Sequence, residues 1–311
     1  MSLGTLHWTT GDRQLTTDNR MLKRTLTALL LIPPVVYLVG WSPKWLFVLA
    51  VATAVVLALR EYFALCRASG IKVISWIGYG SGAAFCAVQM LPEILNYFGF
   101  TLLLVVLFAL LIPSVAMRPS TDLKDYLAAT SATIFGVLWV GLSLSCLVPI
   151  RFAMASFGVP WATLGDTGHT VMLGLGSRLL LLLFLVIWAG DICAYLVGRP
   201  LGRRPFFARI SPRKTWEGAV AGLAGSLLAA WGFAHWFLTR IDLKIVFLIA
   251  AWIAIAGQVG DLVESAIKRG AHQKDSGALL PGHGGFLDRI DSLLFGAPAL
   301  WLALLALGFV S

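Results

Sequence analysis

The chain has 311 residues, 59% of them hydrophobic and 13% charged, with a mean hydropathy of +0.85. Soluble domains carry about 25% charged residues, so a soluble globular protein is excluded, and so is a disordered one. The formal net charge of +9 suits loops facing anionic headgroups rather than nucleic acid, because no basic stripe lies on a soluble module.

Residues 1–20 are polar and without period, and read as a loose tail. Lys23 and Arg24 precede the first apolar run without a small-residue cleavage site after it, so the run is expected to stay as an uncleaved first helix. The expected spans are Leu26–Gly40, Trp45–Leu59, Val73–Met90, Phe98–Met117, Ala128–Val148, Leu179–Gly198, Ala219–Leu238, Ile245–Leu262 and Leu293–Val310. The fold class is therefore all-α: a polytopic integral membrane protein of about nine transmembrane helices. Residues 21–178 hold five helices and an external loop. Residues 179–311 hold the remainder, with two charged loops at 198–218 and 263–292. No period-two alternation suggests an outer-membrane barrel. The four cysteines, Cys66, Cys86, Cys146 and Cys193, form no CxxC pair and read as small apolar residues.

Assigning loops to alternating sides puts nineteen of the 24 Lys and Arg on the side of the N-terminal tail. By the positive-inside rule the N-terminus is cytoplasmic and the C-terminus outside. Both charged loops then face the compartment that holds nucleotides.

Asp191 lies inside the run LLLLLFLVIWAGDICAYLVG. A charge at mid-helix costs on the order of 2.5–3.5 kcal/mol on insertion scales, so Asp191 is expected to face a cavity, a cation or a polar partner. Asp261 closes the eighth expected span in the same way. Beyond it, Asp261, Glu264 or Ser265, and Lys268 share one face if the helix continues. A glycine-rich loop follows, then Asp288 and Asp291 at i, i+3 at the entrance to the last helix, where they suit its positive end. Carboxylate oxygens bind Mg²⁺, and Lys and Arg neutralise phosphate oxygens. Together they fit phosphoryl or nucleotidyl transfer. No GxxxxGK[ST] sequence occurs, so a P-loop enzyme is excluded. The loop at 198–218 carries Arg199, Arg203, Arg204, Arg209, Arg213 and Lys214, with Phe206 and Phe207 between them. Ser211-Pro212 is expected to start a helix there, with Ser as cap and Pro in the first turn.

The run Ser265-x2-Lys268-Arg269-x4-Lys274-Asp275-x-Gly277-x2-Leu280-Pro281-x-His283-Gly284-Gly285-Phe286-x-Asp288-Arg289-Ile290-Asp291 resembles the signature of the phosphatidate cytidylyltransferases, or CDP-diacylglycerol synthases. Asp191-x2-Ala194-Tyr195-x2-Gly198-Arg199 and Ser211-Pro212-Arg213-Lys214-Thr215-Trp216-Glu217-Gly218 resemble two further blocks of that family. Departures are Ile192-Cys193 in place of Thr-Gly, Arg213 in place of Lys, and His272-Gln273. The resemblance implies transfer of CMP from CTP to phosphatidate in the cytoplasmic (inner) membrane, with Mg²⁺ and a second cation such as K⁺. It implies Asp261 and Asp288 as metal ligands. Lys268, Arg269, Lys274, Asp275 and Asp291 complete the catalytic set it suggests. Asp191, Arg199, Ser211, Arg213, Lys214, Thr215, Glu217, Ser265, Gly284, Gly285 and Arg289 are the expected substrate contacts. His283 is either a phosphate donor or a loop-packing residue. CTP, phosphatidate and membrane lipids are the expected partners, with a homodimer left open and nucleic acid excluded. On residues alone two rivals stand: an ion-coupled transporter or flippase using Asp191 and Asp261 as an ion path, and a related nucleotidyltransferase acting on another lipid phosphate.

Overall fold

The computed structural model describes residues 32–91, 99, 103–104, 106–107, 125–152, 173–239, 241–277, 279 and 284–308. Residues 32–40 are helical and lead through Ser42-Pro43 into α1 (Lys44–Ala68). Next come α2 (Ser75–Val88) and α3 (Tyr126–Phe152), which loosens into a π-turn over Val137–Leu142. After α4 (Leu175–Leu201) a short hairpin of β1 (Pro205–Phe207) and β2 (Ser211–Thr215) enters α5 (Trp216–Phe237). Then follow α6 (Leu243–Gly270) and α7 (Leu287–Ala306).

Among the described residues, α1, α3, α4, α5, α6 and α7 are long and apolar enough to cross a bilayer. Each matches an expected span. α2 has 14 residues, about 21 Å at 1.5 Å per residue, short of a hydrocarbon core of about 30 Å. The first expected span, Leu26–Gly40, lies partly outside the described residues, and the fourth, Phe98–Met117, mostly so. The architecture is that of an all-α membrane protein with a small hairpin at one end. Its outer surface agrees: Val220, Leu228 and Trp236 on α5 and Leu248 and Trp252 on α6 are more than half exposed. Such a surface is at rest only against lipid.

Lipid offers no hydrophobic drive between helices, so close approach needs small side chains. The buried positions of α5 are Gly218, Gly222, Ser226, Ala230 and Ala234, one every four residues along a single stripe. That stripe packs on α4. A Cβ at Gly222 would lie 3.0 Å from the Gly190 carbonyl and 3.1 Å from Ala194, and Ser226 Oγ donates to the Val186 carbonyl at 2.8 Å. The same logic seats α7 on α6, where Gly260 faces the Asp291 carbonyl. Leu183, Val186, Ile253, Ala297 and Leu300 fill the space between α4, α6 and α7. At the end of α3, Arg151 is buried, stacks on Phe47 and Phe152, and donates to Ser42 Oγ (2.7 Å) and the Ser42 carbonyl (2.6 Å). This anchors the start of α1.

Two local expectations are corrected. Ser211-Pro212 does not begin a helix. Ser211–Thr215 is a strand, antiparallel to β1 with Phe207 opposite Ser211 and Pro205 opposite Thr215. The helix starts at Trp216, because Thr215 supplies the cap: its Oγ1 accepts from Gly218 N at 3.2 Å. α1 also runs nine residues past the expected end at Leu59. Arg60 and Arg67 point outward while Tyr62, Phe63, Leu65 and Cys66 stay buried, so one apolar face continues through the charges.

Candidate active site

α6 has 28 residues, about 42 Å of helix, longer than the hydrocarbon it crosses. Its polar final turns therefore reach the headgroup region. Asp261, Glu264, Ser265 and Lys268 stand there on one face. The close α6–α7 approach brings Asp291 to them. Oxygens of Asp261, Glu264 and Asp291 lie within 4.8 Å of one another. Asp191, on α4, lines a small cavity between α4, α5, α6 and α7 with Gly190, Ser226, Gln258 and Ser292.

Two lysines enter this cluster from different elements. Lys214, the fourth residue of β2, ion-pairs with Asp261. The hairpin correction explains this contact, since the strand aims Lys214 inward while Arg213 stays exposed. Lys268 sits between Glu264 (2.5 Å) and Asp288 (2.6 Å). Glu264 is wholly buried; its Oε2 faces the Lys268 ammonium, and its Oε1 has no hydrogen-bond partner. Ser265 Oγ donates to Asp261 at 3.3 Å.

Asp288 stands outside the group of three. Its Oδ1 takes the Lys268 ammonium, and its Oδ2 accepts from Ser276 N (2.9 Å) and Gly285 N (2.8 Å). Gly284, beside it, has φ +76°, a conformation that glycine adopts freely.

The other expected residues take several positions. Arg269 ties the end of α6 to the hairpin turn, with Nε donating to the Ile210 carbonyl at 3.4 Å and Nη1 to the Gln273 carbonyl at 3.0 Å. Arg199 donates to the Tyr195 hydroxyl at 2.8 Å. Thr215 caps α5, and Glu217 accepts from the backbone N–H groups of Arg203 and Arg204 at 3.2 and 3.3 Å. Both shape the basic loop rather than meeting the carboxylates. Lys274, Asp275 and Arg289 are exposed around the cluster, and Ser211 is half-buried at the start of β2. His283 lies outside the described residues.

Sequence reasoning missed Glu61. This α1 carboxylate is 6% exposed and accepts from Ser276 Oγ (2.8 Å), Phe286 N (2.9 Å) and Leu287 N (2.8 Å). Its signal was an acid inside an apolar run, the same signal that marked Asp191, but it fell two residues beyond the assumed end of the span.

The donor set suits a hard divalent cation. Three carboxylates converge, one of them wholly buried, and among the described residues Lys214 and Lys268 are the cations paired with the cluster. Such a surface repels phosphates unless a cation binds.

The sequence model of the cytidylyltransferase family matches residues 22–307. The chain is 34% identical to a phosphatidate cytidylyltransferase of Synechocystis sp. over 270 residues, 83% of this chain and 87% of that one. It is 33% identical to a phosphatidate cytidylyltransferase of Staphylococcus haemolyticus over 287 residues, 92% and 99% of the two chains. With the chloroplastic phosphatidate cytidylyltransferase 5 of Arabidopsis thaliana it shares 34% over 260 residues, 81% of this chain but 64% of the plant protein. With polar groups gathered at one end of an all-helical membrane protein and a match across nearly its whole length, this chain belongs to the cytidylyltransferase family.

Proposed function

We propose that this protein transfers CMP from CTP to phosphatidate, giving CDP-diacylglycerol and pyrophosphate, at the cytoplasmic face of the inner membrane. One observation carries the reading. Asp261, Glu264 and Asp291 converge from α6 and α7 on a point where Lys214 and Lys268 also arrive, at the polar end of α6. The names of the relatives supply the substrate class. The excess of Lys and Arg on that side supplies the orientation, with the N-terminus inside and the C-terminus outside.

A lipid phosphate oxygen attacks the α-phosphorus of CTP. The new P–O bond forms as the bond to the β-phosphate oxygen breaks, and pyrophosphate leaves with that electron pair. The nucleophile is already an anion, so no strong base is required. The barrier comes from bringing two polyanions together. Asp261, with the converging oxygens of Glu264 and Asp291 and, as the resemblance implies, Asp288, would hold Mg²⁺, which would supply Lewis-acid charge neutralisation when bound. Lys214 and Lys268, paired with the acidic cluster, would neutralise substrate phosphate oxygens, and Arg213, Arg269 and Lys274 add positive charge at the rim. Asp288 holds Lys268 in place through its Oδ1. A small cavity lined by Asp191, Gln258 and Ser292 lies between the helices beside this site.

The test is pyrophosphate release by the detergent-solubilised protein given CTP and phosphatidate. Release should need both substrates and Mg²⁺ and should stop on chelation. Absence of pyrophosphate with both substrates and Mg²⁺ present overturns the reading. Ion flux through reconstituted protein without CTP turnover would favour the transporter instead.

A further inference from the structure

The carboxylate of Glu61 belongs to the half of the chain that carries no signature residue, yet all three of its hydrogen bonds come from the signature segment. Oε2 accepts from Ser276 Oγ and Leu287 N, and Oε1 from Phe286 N. The two stretches it joins are the ones that hold Asp288: Ser276 N and Gly285 N both donate to Asp288 Oδ2. Ser276 Oγ works in both directions, donating to Glu61 and accepting from Asp288 N at 3.3 Å. The fit is close. A Cβ at Gly277 or at Gly285 would run into the Glu61 side chain.

We propose that Glu61 is a positioning residue for CMP transfer: by gripping Ser276, Phe286 and Leu287 together it fixes the two backbone N–H groups that aim Asp288, and through Asp288 it aims Lys268. This rests on the activity proposed above. The chemistry is specific to an acceptor-only group. All three partners donate, so a carboxylate satisfies them without presenting a hydrogen of its own. A glutamine of the same size points an N–H group at a backbone N–H in either orientation of its amide.

The experiment uses the full-length protein in detergent, with hydrogen exchange of the amides and steady-state turnover measured on the same samples. In Glu61→Gln, the amides of Gly285, Phe286 and Leu287 should exchange at least about tenfold faster while those of the core of α4 are unchanged. Turnover per folded molecule should fall about 10- to 100-fold, with KM for CTP within about threefold of wild type. Glu61→Asp keeps two acceptor oxygens and should recover part of the lost turnover. A residue that only stabilised the fold would lower the yield of folded protein and leave kcat per folded molecule alone. A folded Glu61→Gln protein with kcat within threefold of wild type overturns the proposal, as does Glu61→Asp being no better than Glu61→Gln. Should Glu61→Gln fail to fold, Ser276→Ala takes its place, with a fall of about three- to tenfold in kcat expected and an unchanged kcat overturning the proposal. If wild type itself shows no turnover, the activity reading fails, and unaccelerated exchange at 285–287 separately overturns the grip.

Discussion

Lys268 is a single ammonium group between two carboxylates, and its removal tests the electrostatics of the site most directly. Its side chain is 12% exposed, that of Glu264 0% and that of Asp288 10%. At an effective dielectric of about 20, two unit charges 2.6 Å apart attract by roughly 6 kcal/mol, and desolvation offsets much of that. Taking away the cation while leaving the acids is costly, because each acid then stays buried without its partner; such losses run to about 3–5 kcal/mol. Lys268→Met keeps the length of the side chain and removes the charge. It should lower the melting midpoint in detergent by on the order of 5–15 °C. Adding Glu264→Gln removes one of the stranded charges and should recover about 1–3 kcal/mol of the loss. A thermal melt of the two single variants and the double variant closes the cycle. Lys268→Met within about 1 kcal/mol of wild type, or a double variant whose loss is the sum of the singles, would refute the claim that this lysine neutralises both acids.

Other outcomes follow from the same geometry. Asp261→Ala should abolish pyrophosphate release while the melting midpoint moves by only a few degrees, since Asp261 faces Lys214 and Ser265 at the open side of the cluster. Asp288→Ala should lose both activity and stability, the latter by about 2 kcal/mol or more, because two backbone N–H groups lose their acceptor; a melt that matches that of Asp261→Ala would contradict this. Gly285→Ala should reduce folded yield and activity together, as its new methyl meets Ser276 Oγ and Glu61; size-exclusion profiles read the yield. Thr215→Val removes the cap of α5 and should cost about 1 kcal/mol, with turnover per folded molecule preserved if Thr215 only shapes the loop.

The sequence made the helices legible because long apolar runs stand out in length and flanking charge: α3, α4 and α5 lie within a few residues of their expected spans, while α6 runs eight residues past Leu262 and α7 starts six residues before Leu293. The carboxylate and lysine cluster was legible for a related reason: acids such as Asp191 and Asp261 stand out inside apolar runs. Glu61 was not, because Arg60 and Glu61 together look like the end of a span. Only the packing of Tyr62, Phe63 and Cys66 shows that the helix goes on. The β-hairpin was hidden by Ser211-Pro212, a pair that serves equally at a helix start and at a sheet edge. Thr215, four residues later, was the better cap. The choice among five nearby acids as cation donors depends on how closely α6 and α7 approach, which Gly260 sets and spacing along the chain does not reveal.

The grip of α1 on the signature segment has a consequence for how this protein can be divided. The motif-bearing helices look like a transplantable unit, yet the last contact that orders their loop comes from a helix more than two hundred residues upstream. Hybrids that join the front of one relative to the back of another would need a matching acid on the first helix and a matching serine and glycines on the loop. Split versions of the chain should regain order only when both pieces are made together.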